Sequence, residues 1–210
     1  VQQPQRTGPL RLWRELQNLS DEVSNRPPGA GLGGLSFSMN LQSSDFELFG
    51  LPESFAIDRA ALDARWKDLQ RQAHPDRNAH ADPATQRQAM QWSVRINEAY
   101  QRLKDPLRRA AYLCERRGAP IEAENNTAMP ADFLMQQMQW RESLDETEGV
   151  EALEALADEV AEARRARVEA LRAALDERGD APEAARQVRA LMFIERFASD
   201  VEDRLDQRGQ

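Results

Sequence analysis

Arg71-Gln72-Ala73-His74-Pro75-Asp76-Arg77 stands where one helical pattern ends and, beyond Ala81, another begins. Upstream, Leu62, Trp66, Leu69 and Ala73 recur at i, i+4, i+7 and i+11, the spacing of one helical face. Asp58 stands before them as a helix N-cap. Ala60, Ala64, Lys67 and Arg71 fall on the opposite side, with Arg65 nearer the flank. Pro75 lacks the N–H that a continuing helix needs, so the helix stops there and residues 74–81 form a loop. Downstream, Asp82-Pro83 opens the next helix with proline at its first position. Ala89, Trp92, Ser93, Ile96, Tyr100 and Leu103 share its inner face. The stretch therefore predicts a helical hairpin with His-Pro-Asp at its tip.

Working outward, Ser44 and Glu47 have the spacing of a capping box, and Gly50 and Pro52 end the short helix they begin. Asp105-Pro106 ends the helix after Tyr100 and starts another through Leu107, Ala110 and Cys114, which stops at Gly118. Residues 118–128 read as a linker. Three helices follow, near 130–145, 150–178 and 182–207, separated by Gly149 and Gly179, with Asp180 and Glu183 resembling a second capping box. Val150, Leu153, Leu156, Val160, Val168, Leu171 and Leu175 mark the inner stripe of the long one, and Leu191, Ile194, Ala198, Val201 and Leu205 that of the last. Short turns between long helices make antiparallel neighbours, so a three-helix bundle is expected at 129–207. Residues 1–42 differ. Arg26-Pro27-Pro28-Gly29-Ala30-Gly31-Leu32-Gly33-Gly34 predicts a flexible leader. Met39 predicts the natural start, while Leu10, Trp13, Leu16 and Leu19 offer a short amphipathic helix instead.

Composition sets limits. Ala, Leu, Glu, Arg and Gln dominate, aromatics make up 6% and runs of strand formers are scarce, which points to an all-α chain. The net charge is −8, and it lies in the C-terminal part: residues 118–210 carry 11 Lys and Arg against 22 Asp and Glu, whereas residues 43–117 carry 13 against 11. An acidic half argues against a nucleic-acid partner, because phosphate neutralisation needs a basic surface. No run approaches the roughly 20 apolar residues of a membrane span. A lone Cys114 rules out an intrachain disulfide or a Cys-x-x-Cys metal knuckle, and it predicts a reducing, cytoplasmic setting and a buried thiol. With both histidines in the His-Pro-Asp loop, no Ser-His-Asp set remains, so no intrinsic catalysis is expected.

On the helix at 130–145 the apolar residues split into two stripes at about 100° per residue. Phe133, Trp140 and Leu144 form one. Leu134, Met135 and Met138, with Glu142, form another well away from it. One stripe faces the core and the other is left for solvent or a partner, a role that flexible, polarisable methionine suits. On the last helix Phe193 falls about 130° from the core stripe.

A helix, a His74-Pro75-Asp76 loop and a second helix, framed by Asp45-Phe46-Glu47-Leu48-Phe49-Gly50-Leu51 before and Ile96-Asn97-Glu98-Ala99-Tyr100 with Leu103 after, resemble a J-domain at 43–117. Leu107-Arg108-Arg109-Ala110-Ala111-Tyr112-Leu113 and Phe133-Leu134-Met135-Gln136-Gln137-Met138, with Arg141-Glu142-Ser143-Leu144-Asp145-Glu146, narrow the resemblance to the bacterial HscB-type co-chaperones of iron–sulfur cluster assembly. That resemblance implies docking on an HscA/DnaK-type ATPase chaperone through His74, Pro75 and Asp76 with the positive charge of Lys67, Arg71 and Arg65. It also implies an IscU-like scaffold protein held at Leu134, Met135, Met138, Glu142 and Phe193, and stimulation of the chaperone's ATPase to aid cluster maturation. It implies no cofactor and no metal, since the N-terminal cysteine motif of eukaryotic members is absent. Three departures stand out: Ala73 replaces the tyrosine that often precedes the triplet, Arg77 replaces the lysine that often follows it, and Gln139 stands where some relatives carry Glu. Other readings keep the J-domain with a different folded client, or take the chain as a helical adaptor that acts on no ATPase. A metal-dependent hydrolase would use His74, Asp76 and His80, a trio short of a fourth ligand and a second shell.

Overall fold

The computed structural model describes residues 42–74, 82–123, 128–147 and 149–208, and every element among them is helical. The leader, with its expected start at Met39, and the loop residues Pro75, Asp76 and His80 lie outside the described residues. Residues 44–210 cluster as one compact unit.

The first helix, α1 (Asp45–Phe49), starts with a complete capping box: Ser44 Oγ accepts from Glu47 N–H, and Glu47 accepts from Ser44 N–H at 2.8 Å. It ends at Gly50 in the left-handed conformation, φ 62°, which glycine adopts without strain. Asp45 is fully buried at its N-terminus between Arg95 (2.6 Å) and Arg102 (2.9 Å). Two cations on one buried carboxylate fix α1 to the single later helix that carries them, since an unpaired carboxylate there would be costly.

The hairpin follows as α2 (Arg59–Ala73) and α3 (Pro83–Lys104), capped by the Asp58 and Asp82 side chains. Leu62, Leu69 and Ala73 are buried, as are Ala89, Trp92, Ile96, Tyr100 and Leu103. Its antiparallel register is written in polar pairs along one edge. Arg59 donates to Tyr100 Oη (3.2 Å), Tyr100 Oη donates to Asp63 (2.9 Å), and Trp66 Nε1 (3.0 Å) and Gln70 (2.6 Å) donate to Asn97 Oδ1. Nearer the tip, Ser93 Oγ donates to Gln70. The Trp66 and Tyr100 rings stack at 4.7 Å. Helix α4 (Pro106–Arg116) starts at the Asp105 cap and buries Leu113 and Cys114.

The bundle comprises α5 (Ala131–Glu146), α6 (Val150–Arg172) and α7 (Ala181–Arg208). Trp140 donates to Glu159 (2.7 Å) and Arg167 to Asp132 (2.9 Å), while Arg164 pairs with Glu195 (2.7 Å). These partners set both helix pairs antiparallel, as the short turns predict. The core combines Leu153, Leu156, Val160, Leu171, Leu191, Ile194 and Val201 with an aromatic chain in which Trp140 stacks on Phe197 at 5.5 Å and meets Phe133 edge-on at 6.0 Å.

Four details depart from the sequence reading. Val150 is 42% exposed, because it opens the first turn of α6 before that helix reaches its neighbours. Helix α6 does not run unbroken to 178; it widens into a π-helical turn, Ala173–Arg178, that closes at left-handed Gly179. Asp180 caps Glu183 N–H (3.0 Å), but the reciprocal half of that box is absent: Asp180 N–H donates to the Ala174 carbonyl, and Glu183 accepts from Arg186 and Gln187. The linker is no free tether. Ile121 is 1% exposed, and the buried Arg189 of α7 donates to the carbonyls of Ile121 (3.0 Å) and Ala128 (2.6 Å).

The linker is not the only tie between hairpin and bundle. Helix α4 packs against α7. Both oxygens of Asp176 accept backbone N–H groups of the loop before α2, from Phe55 and Ala56, each at 2.7 Å. Arg117 donates to the Leu175 carbonyl at 2.6 Å.

Candidate functional site

Two surfaces carry the residues singled out from the sequence. The first is the tip and outer face of α2. His74 ends the helix in an extended conformation, φ −62° and ψ 129°. A proline at the next position imposes this, because its ring crowds the helical conformation of the residue before it. The imidazole is exposed, and so are Lys67 and Arg71 on the face opposite Leu62 and Leu69. Arg71 is paired with Asp68 one turn back on the same helix. Arg65 is exposed but occupied, since its Nε donates to the Phe49 carbonyl at 3.3 Å and so completes the end of α1. Lys67 and Arg65 both present full positive charge on this side of the helix, since a carbonyl acceptor leaves the Arg65 guanidinium charged, while Arg71 is partly offset by Asp68. Pro75 and Asp76 belong to the loop outside the described residues. Among the described residues no group of three or more His, Cys, Asp or Glu could hold a metal ion.

The second surface lies on α5. Phe133 and Trp140 point inward at 0% and 1% exposure, while Leu134, Met135 and Met138 stand 41%, 69% and 70% exposed, with Glu142 exposed beside them. Large apolar side chains left in water on one helix face carry an unmet hydrophobic driving force, which a partner surface can satisfy. Phe193 does not project freely. It is half-buried, edge-on to Phe133 at 5.6 Å and stacked on Phe197 at 6.0 Å, with the Arg141 guanidinium 5.4 Å above its ring. The wheel angle of α7 alone could not foresee this, because α5 crosses where Phe193 points. Beside Phe193, Arg141, Leu144, Asp145, Arg196, Phe197 and Asp200 line an open cleft of about 340 Å³ between α5 and α7.

Two further apolar residues escaped the sequence reading. Met90 and Val94 are 62% and 53% exposed on α3. Their signal was available: they sit at i and i+4, off the stripe of Trp92 and Ile96. Cys114 is buried and its thiol is pushed up to about 12, chiefly by loss of solvent. Among the described residues no helix is long and apolar enough to cross a membrane.

The fold and these surfaces have counterparts in known proteins. The family model described as the HSCB C-terminal oligomerisation domain matches residues 129–202, which is the bundle. The chain is 54% identical over 166 residues to the co-chaperone protein HscB homolog of Burkholderia multivorans, covering 78% of this chain and 94% of that one. It is 51% identical over 164 residues to the homolog of Ralstonia nicotianae, covering 77% and 93%. Among solved structures, the chaperone HscB from Vibrio cholerae superposes with a TM-score of 0.68 at 36% identity, over 79% of this chain and 99% of that one. The human co-chaperone protein HscB does so with a TM-score of 0.72 at 25% identity, over 87% and 94%. Sequence and fold agree from end to end of these relatives, so the chain belongs to the HscB family, whose members are co-chaperones rather than enzymes.

Proposed function

We propose that this protein brings an IscU-like iron–sulfur scaffold to an HscA/DnaK-type chaperone and stimulates that chaperone's ATPase, aiding cluster maturation in the cytoplasm. On this reading residues 43–117 are the J-domain and residues 129–207 the client-binding bundle. His74, Pro75 and Asp76 are the trigger, with Lys67, Arg71 and Arg65 as the cationic approach. Leu134, Met135, Met138, Glu142 and Phe193 hold the scaffold.

The observation that carries the reading is the exposed Leu134-Met135-Met138 face on α5, on the same chain as the exposed cationic face that ends at His74. A chain that displays one surface for a folded client and another for an ATPase suits delivery better than catalysis. Opposite charge speeds encounter and sets orientation, while apolar contact holds the client.

The test is the ATPase rate of the HscA-type chaperone from the same organism, with this protein and the scaffold added separately and together. Wild type is expected to stimulate, and the scaffold to add to it. His74→Gln is expected to do neither. A rate unchanged by wild type under all conditions overturns the proposal and leaves a helical adaptor. Stimulation that the scaffold does not enhance keeps the J-domain and changes the client.

A further inference from the structure

We infer that Asp176 is a positioning residue that sets the angle between the hairpin and the bundle, and through it couples client binding to ATPase stimulation. The inference rests on the proposed function for its consequence, but not for its geometry.

The contact has the form of a clasp. Asp176 uses both carboxylate oxygens, each 2.7 Å from the N–H of one of two adjacent residues, Phe55 and Ala56. A bond to a single point leaves a partner free to swivel, whereas two parallel charge-assisted bonds fix direction as well as distance. The Leu175 carbonyl next to it accepts from Arg117 at 2.6 Å, and Arg117 reaches back to the Glu53 carbonyl at 3.4 Å. At this corner the bundle supplies acceptors and the hairpin side supplies donors. The segment that presents them is the π-helical turn Ala173–Arg178. Such widened turns inside helices are frequent at functional positions.

The lever arm makes the angle matter. Ala56 lies two residues before Asp58, the N-cap of α2, and α2 runs 15 residues from there to Ala73. At about 1.5 Å per residue the tip lies roughly 22 Å from this pivot, so a tilt of about 10° moves His74 by about 4 Å. A client held on α5 and a trigger at His74 can act on one chaperone together only if that distance is held. Asp176 is itself exposed, and its bonds are a minor part of the packing, which Phe55 supplies at 3% exposure. Its loss is therefore read in orientation and coupling rather than in stability.

The experiment measures residual dipolar couplings on the full chain for wild type, Asp176→Ala and the milder Asp176→Asn, together with the ATPase assay. In wild type, hairpin and bundle are expected to fit one alignment tensor; in Asp176→Ala they separate into two, with Asp176→Asn between. The extra stimulation contributed by the scaffold is expected to fall about fivefold in Asp176→Ala, while stimulation without scaffold and scaffold affinity stay within about twofold, as for a loss of coupling between two intact sites. A single tensor in Asp176→Ala overturns the inference, and so do separated tensors with undiminished synergy. If wild type fails to stimulate at all, the functional proposal falls, and the couplings alone still decide whether Asp176 holds the angle.

Discussion

The hairpin of two helices and the bundle of three are both built from antiparallel neighbours, yet they are held by different forces. Along one edge α2 and α3 meet through a polar lattice, Arg59 with Tyr100 and Asp63, then Trp66 and Gln70 with Asn97, then Gln70 with Ser93. The bundle closes on aromatic rings, Phe133, Trp140 and Phe197, with Phe193 at the margin. Hydrogen bonds are directional and tolerate one register, whereas ring packing contributes more free energy and less direction. Each suits its surface. On the proposed function, His74 belongs at the end of a helix whose register is fixed by directional bonds. On the same proposal, the exposed methionines are mounted on a helix whose other side is rigidly packed.

That contrast can be broken at its strongest point first. Trp140 is 1% exposed, so Trp140→Ala should destabilise the bundle by about 3–5 kcal/mol, the usual range for a large buried aromatic. Thermal unfolding followed by circular dichroism checks it, and a melting point unchanged from wild type would mean that the aromatic chain is not what holds the bundle. A smaller effect is expected at the hairpin. Asn97→Ala removes the acceptor shared by Trp66 and Gln70 at an exposed edge, with an expected cost of about 1 kcal/mol. The signature is faster amide exchange in α2 and α3 than in α5 to α7; uniform exchange across the chain would deny the edge a local role. Smallest of all, Met135→Ser with Met138→Ser should alter stability by no more than about 0.5 kcal/mol, as for exposed positions generally, while weakening the scaffold. A large drop in melting temperature would place those side chains in the fold rather than on a partner surface.

Much of this organisation was legible in the sequence. Ser44, Asp58, Asp82, Asp105 and Asp180 all cap as their spacing to the following helix implies, because a cap is a local event decided within four residues. The division of α5 into Phe133 and Trp140 on one side and Leu134, Met135 and Met138 on the other was equally legible, since periodicity reports a helix's own faces. What periodicity leaves out is where the neighbours lie. Nothing in the pattern of α7 singles out Arg189, which is 6% exposed because the carbonyls of Ile121 and Ala128 satisfy its guanidinium. Nor does any local pattern mark Asp45, which is buried beneath two arginines from α3. Asp176 meets residues 120 and 121 positions away through a turn whose widening no local pattern announces. Charged residues at long range are the ones a reading by faces misplaces, and they are also the ones that orient the parts.

The buried thiol has a chemical consequence for the proposed traffic in clusters. Iron binds thiolate rather than thiol, and burial pushes the Cys114 thiol up to about 12, so it stays protonated at neutral pH. If the proposed function holds, a sulfur-ligated cargo meets in this chain a single cysteine that is buried and disfavoured as a ligand.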